Sequence, residues 1–159
     1  AWTGIPDGAV SIALIVDDPD VIDEDAEIRN PHVHWLIWNL PGDTAELAED
    51  AATTTQIASL GPNVRQGTND YGVVGYTGPC PSLLTTSIAQ SGGTYDSSAH
   101  FYTGIPVLAH AYAFKLYALD TELDLADGAT KDELLRAIDG HILAGGEVKG
   151  EYRPKALMK

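Results

Sequence analysis

The sequence predicts a mainly β domain, a sandwich of antiparallel sheets with one helix at its periphery. Three observations carry that reading. Three long apolar or aromatic runs, Ser11 to Val16, Val33 to Leu40 and His110 to Leu119, have the composition of strands. Glycine and proline punctuate the stretches between them, as turns require. Only one segment, late in the chain, carries a full set of helix signals. Long strands, turn-rich loops and one late helix favour a sandwich over an alternating α/β design.

The first strand, within "SIALIVDDPD", is apolar at consecutive positions, so both of its faces should be buried. It is expected to stop at Asp17-Asp18-Pro19-Asp20, because proline cannot donate to a ladder. The acidic stretch from Val21 to Asn30 reads as a surface loop. "VHWLIWNL" is the second strand, ended by the Pro41-Gly42 turn, and Asp43 to Ala52 is expected to form a short helix. Five glycines, at 61, 67, 72, 75 and 78, predict turns and close backbone approach before Ser82. Leu83 to Ala109, rich in Ser, Thr and Gly at its start, reads as a long inserted loop in a single domain of residues 1–159. "HAYAFKLYAL" is the third strand. In "TKDELLRAIDGHILAGG", Thr130 and Glu133 make a capping box, Leu134, Ile138 and Ile142 fall on one face, and Gly145-Gly146 is the expected stop. "EVKGEY" then reads as a closing strand.

Composition narrows the function. The chain has 159 residues, 44% of them hydrophobic, which suits one domain with one sizeable core. No apolar run approaches the roughly 18 residues of a membrane span. The 23 acidic and 9 basic residues give a net charge of −14, a field that repels nucleic acid and anionic membrane surfaces. An anion that binds here needs a local site opposing that field. The single cysteine, Cys80, cannot close an internal disulfide, and no basic-then-apolar leader opens the sequence; a cytoplasmic location is the expectation. A leader already removed would leave no trace.

The polar residues on the strands are the candidate chemistry. Side chains two apart share a strand face. His110, Tyr112 and Phe114 therefore share one, and His34 is expected to share another with Leu36 and Trp38. Asp18 and Asp20 point together if Asp-Pro-Asp stays extended. Three strand ends thus carry His34, His110 with Tyr112, and a carboxylate pair. His32 and His34 with the two aspartates could hold a metal, but the spacing lacks a longer ligand framework, and no metal or other cofactor is expected. Catalysis by a serine triad lacks its Gly-x-Ser-x-Gly elbow. Cys80, in "GYTGPCPS", has neither a helix N-terminus nor a nearby Lys or Arg in sequence to activate it, so it reads as a small apolar filler between Pro79 and Pro81.

Together, "DPD" (Asp18 to Asp20), "VHWLIWNLPG" (Val33 to Gly42), "GTNDYGVVGYTGPCP" (Gly67 to Pro81) and "HAYAFKLYALD" (His110 to Asp120) resemble the phosphatidylethanolamine-binding protein family. These are also called Raf kinase inhibitor-like proteins, and the bacterial and archaeal branch is the nearer one. Order along the chain and the tail from Leu123 to Tyr152 are similar too. The resemblance implies a Greek-key sandwich with a small anion pocket near one end. Its walls would be Asp18, His34, Gly78, Pro79, Cys80, Pro81, His110 and Tyr112, with Asp20 bracing them.

Such a pocket implies a non-enzymatic binder of phosphate-like groups or phospholipid head groups, one that modulates a kinase or protease partner. The alternative is a hydrolase built on His34, His110 and Asp18, with or without a metal. Departures from the family pattern are Ile22, Ser82 and Ala111 in place of a proline, a proline and a basic residue, and the long Leu83 to Ala109 segment. That segment is either a flap beside the pocket, a contact with a second copy in a homodimer, or a tolerated insertion. Family members also have a strand region before the equivalent of "WTGIPDG", so an edge here is expected to lie open or under another chain.

Overall fold

The computed structural model describes residues 1–20, 31–49, 51, 54–79, 94–96, 101–103 and 109–152. Its elements are β1 (Ser11–Asp18), β2 (His32–Pro41), α1 (Thr54–Leu60), β3 (Arg65–Gln66), β4 (Thr94–Asp96), β5 (Phe101–Thr103), β6 (His110–Leu119), α2 (Lys131–Ile138) and β7 (Ile142–Tyr152). Five strands form one antiparallel sheet in the order β3-β2-β1-β6-β7. The hairpin β4-β5 is the second sheet among the described residues, and it lies within the predicted insertion. The expected surface loop at 21–30, Cys80, Pro81 and the start of the insertion, 82–93, lie outside the described residues.

β1 is the central strand and is buried along its whole length, as its unbroken apolar run requires. One face of the sheet packs Ala13, Ile15, Val33, Leu36, Trp38 and Leu119 under Leu134 and Ile138 of α2. The opposite face gathers Ile12, Leu14, Val16, Trp35, Ile37 and Leu40, with Ile57 and Val64 over them. The eight-residue run Val33 to Leu40 in β2, six of them apolar, does not follow strict alternation between two faces, and the strand carries two bulges.

At the first bulge, Val16 opposes Trp35 while Asp17 opposes Val33, so His34 is an extra residue in β2. At the second, Ile12 opposes Leu40 while Leu14 opposes Ile37, and Asn39 takes a left-handed φ of 58°. Asparagine tolerates that conformation better than most side chains. Asn39 also uses its amide on both sides: Nδ2 donates to the Leu123 carbonyl at 3.0 Å, and Oδ1 accepts from Leu123 N–H at 2.8 Å. The bulges overturn one expectation. His34 does not share a face with Leu36 and Trp38, because the inserted residue shifts the alternation by one.

Two helix boundaries also differ from the sequence reading. Asp43 to Glu49 and Ala51 are not helical; the short helix starts later, at Thr54. α2 has the predicted capping box, with Thr130 and Glu133 bonded reciprocally, but it ends at Ile138. Gly140, at φ +81°, turns the chain there, and Ile142 begins β7 rather than ending a helix. Gly145 and Gly146 therefore sit inside a strand.

Gly67 is required where β3 meets the loop before α2. A Cβ at this position would lie 2.5 Å from the Ala129 carbonyl oxygen and 2.7 Å from Leu36 Cδ1. Its own N–H donates to Leu36 O at 3.0 Å. This contact fixes the start of the loop that leads to Gly78 and Pro79.

Candidate functional site

Asp17 and Asp18 are adjacent, both fully buried, and on opposite faces of β1. Asp18 follows Leu14 and Val16 on the face away from α2. Its Oδ2 lies 2.7 Å from His110 Nδ1, and its Oδ1 accepts the Asp20 N–H at 2.8 Å. Asp20 in turn accepts the Ala111 N–H at 2.8 Å. The two carboxylates thus tie the end of β1 to the start of β6, and Asp20 acts as a brace.

The bulge delivers His34 to that same face. Its Nδ1 donates to the Thr77 carbonyl at 2.9 Å, while Thr77 N–H donates to His34 O at 3.0 Å. A carbonyl can only accept, so this pairing places the proton on Nδ1. His34 is buried, and its ring meets Tyr112 edge-on with centroids 5.0 Å apart. Gly78 and Pro79 continue directly from Thr77 and are half-buried. Of the nine site residues expected from sequence, the structure brings Asp18, Asp20, His34, His110 and Tyr112 together. Gly78 and Pro79 follow Thr77 in the chain, with no contact to the cluster to assign to them, and Cys80 and Pro81 fall outside the described residues.

Sequence reasoning left three contributors without a role and weighed a fourth only as a metal ligand. Asn69 is buried, and its Nδ2 donates to Gly75 O at 3.0 Å and Thr77 Oγ1 at 2.8 Å. Its Oδ1 accepts from the N–H groups of Tyr71 and Val73 at 3.0 and 3.2 Å. One side chain therefore shapes the whole loop that presents Thr77 to His34. Asp70 Oδ2 accepts the Val33 N–H at 2.7 Å, anchoring the loop to β2. Tyr71 packs edge-on against His34 and against His32, with centroids 5.6 and 4.8 Å apart. The signal lay in "TNDYG", where Asn and Asp beside glycine announce side-chain-capped turns.

His32 is the fourth. It stands opposite Asp18 in the ladder, with its ring centroid 5.3 Å from that of His34. Its Nδ1 is 3.9 Å from Asp70 Oδ2, and its buried Nε2 has no hydrogen-bond partner among the described residues. Burial lowers its pKa from the usual 6.5, and His34 adds to this, against the opposing pull of Asp70 and Asp18. A cation disfavoured in the fold but free in the unfolded chain makes the unfolded state bind more protons below pH 6.5. Stability therefore falls as pH drops through that value. Urea midpoints should fall less between about pH 7.5 and about pH 5 for His32→Gln than for the wild type. Equal falls would remove His32 from the acid response.

No group of three or more metal-ligating side chains converges among the described residues. A groove of about 910 Å³ lies beside the polar cluster on the same face, lined by Trp2, Leu14, Trp35, Tyr76, Phe114 and Val148 among others. Asp18, His34, His110 and Tyr112 do not line it.

The sequence and the fold match known proteins. The family described as phosphatidylethanolamine-binding protein matches residues 1–87 and 85–153. A UPF0098 protein of Methanothermobacter thermautotrophicus is 36% identical over 153 residues, which is 96% of this chain and 80% of that one. The crystal structure of a phosphatidylethanolamine-binding protein homologue from Chlamydia trachomatis superposes with a TM-score of 0.69 at 33% identity, covering 96% of this chain and 78% of that one. E. coli YbcL, described as a member of the mammalian family, gives 0.67 at 27% identity over 97% and 77%. The chain belongs to the phosphatidylethanolamine-binding protein family. No helix among the described residues is long and apolar enough to cross a membrane.

Proposed function

We propose that the protein is a non-enzymatic binding protein whose pocket holds a small anion, a phosphate-like group or a phospholipid head group, against His34, His110 and Tyr112. One observation carries the reading. The Nδ1 atoms of both histidines are committed, His34 to the Thr77 carbonyl and His110 to Asp18. Each ring is then oriented to offer Nε2 to a ligand on the same sheet face. A cationic imidazole makes a short charge-assisted bond to an anionic oxygen, and the 2.7 Å contact with Asp18 fixes the orientation of the His110 ring. Tyr112 adds a phenol, which can donate without titrating near neutrality.

The partner consistent with family membership is a kinase or protease, engaged through a phosphorylated or acidic group in this pocket, in the cytoplasm. In a chain of net charge −14, such a group needs local donors like these two imidazoles and the phenol.

Sulfate and inorganic phosphate should bind more tightly below about pH 6.5, where an ordinary imidazole takes up its proton. Sulfate keeps its charge across this range, so its titration separates protein from ligand protonation. Equal sulfate affinities at about pH 5.5 and about pH 8 would count against a cationic histidine as donor.

A second reading rests on the 2.7 Å His110–Asp18 pair, the contact that orients a general base in many hydrolases. Ester or phosphoester turnover that disappears in His34→Ala and His110→Ala, or stoichiometric metal in the purified protein, would favour it. A screen with neither outcome, together with measurable sulfate binding, supports the binder.

A further inference from the structure

We propose that the anion pocket reads its ligand's own protons. While its two imidazoles are neutral, it takes an oxyanion that carries a hydroxyl, such as a protonated phosphate, over sulfate or a phosphodiester. This preference belongs to the site proposed above and stands only if that site exists. His34 Nδ1 lies 2.9 Å from the Thr77 carbonyl oxygen, and His110 Nδ1 lies 2.7 Å from Asp18 Oδ2. The other Asp18 oxygen accepts the Asp20 N–H at 2.8 Å, so both act as acceptors. Carbonyl and carboxylate oxygens can only accept, which places a hydrogen on each Nδ1. In a neutral imidazole the second nitrogen is then bare. Both Nε2 atoms therefore meet a ligand with a lone pair, and they become donors only when the rings are protonated.

The fold, not the ligand, sets these tautomers. Thr77 N–H donates to His34 O at 3.0 Å, and Thr77 Oγ1 accepts from Nδ2 of the buried Asn69 at 2.8 Å. Tyr71 and Tyr112 meet the His34 ring edge-on, with centroids 5.6 and 5.0 Å away, and oppose its rotation. Around His110, Asp18 is buried, and Asp20, which donates to Asp18, also accepts the Ala111 N–H at 2.8 Å.

Sulfate offers such a site only acceptors. It gains no hydrogen bond from either Nε2 until both rings have taken protons from solvent. Monohydrogen phosphate brings one P–OH and dihydrogen phosphate two, and each can donate to a bare Nε2. The occupied site thus holds a proton in each Nε2···O contact, whichever partner supplied it. Around the two rings stand Asp18 and Asp20 from the end of β1, His32 of β2, Tyr71 of the loop after β3, Tyr112 of β6, and Tyr152, which opposes His110 from β7. Of these side-chain types only imidazole ordinarily titrates between about pH 6 and 8, so His32 is the neighbour that can add to the pH dependence.

Titrations of the full chain with sulfate, inorganic phosphate and dimethyl phosphate test this, alongside ring-nitrogen NMR shifts of the unligated protein. At about pH 8 the shifts should place the proton of each ring on Nδ1. Where they show both rings neutral, sulfate and dimethyl phosphate should weaken roughly hundredfold per pH unit, because two protons are taken up, and phosphate by about tenfold or less. These wild-type measurements decide without any variant. His34→Gln, whose amide can donate at any pH, should bring the sulfate dependence down to roughly tenfold; an unchanged dependence overturns the role given to His34. The gap between sulfate and phosphate should persist in His32→Gln, and its loss there would overturn the assignment to His34 and His110. Equal pH dependence for sulfate and phosphate in the wild type, or a proton on Nε2 of either unligated ring, overturns the proposal while leaving an anion site in place. Binding of none of the three at about pH 5.5 removes the site itself, and the proposal with it.

Discussion

Asp17→Ala should lower the stability of the fold by about 3 kcal/mol, more than any change at the candidate pocket. Asp17 is fully buried on the α2 face of β1. Lys115 Nζ lies 2.9 and 2.8 Å from its two carboxylate oxygens, and Lys131 Nζ lies 2.7 Å from Oδ2. One carboxylate therefore joins β6 to the first turn of α2. Removing it leaves two ammonium groups facing each other in a half-buried space, each having lost a charged partner. Both lysine side chains keep some exposure, 24% and 21%, and can turn toward water, which holds the loss at the low end of the range for broken buried pairs. In a domain of this size that is roughly 6–12 °C of melting temperature. Thermal and urea unfolding measure it. Sulfate affinity should be nearly unchanged, since Asp17 faces away from the pocket; a variant as stable as the wild type would show the triad to be dispensable.

Asp18→Ala should have the converse profile, lowering sulfate affinity at about pH 5.5 by tenfold or more, about 1.4 kcal/mol. Asp18 holds His110 through Nδ1 and the Asp20 N–H through its other oxygen. Without it, His110 can adopt either tautomer and turn away, and the Asp20 brace to Ala111 loosens. Asp18→Asn separates the two causes. The amide can still accept from Nδ1–H but brings no charge, so partial recovery of affinity would assign the remaining loss to electrostatics. Unchanged affinity in both variants would mean that His110 is not part of the anion site.

These neighbours also show where the sequence was readable. The three long strands and the capping box follow from apolar runs and helix-start signals, whereas strand-end positions left open whether Asp18, His34, His110 and Tyr112 meet, and the family resemblance alone implied it. Strict alternation failed at β2, because a bulge is a tertiary solution: the extra residue at His34 lets both Trp35 and Leu36 reach a core. Nothing local announces it. Ile142 fitted the helical spacing of Leu134 and Ile138, yet Gly140 could turn the chain five residues before the Gly-Gly pair that looked like the stop. Asp17 read as the end of a strand, since its partners lie 98 and 114 residues away. Asn69 belonged to a quoted motif, but its many hydrogen bonds depend on a loop path that turn chemistry alone does not specify.

Crystals soaked in phosphate near pH 5.5 test the central claim most directly, at a concentration that saturates the solution titration. The expected result is one anion within about 2.7–3.2 Å of Nε2 of both His34 and His110. An anion-free cluster under those conditions, or phosphate held elsewhere, for example against Lys115 and Lys131, would contradict it.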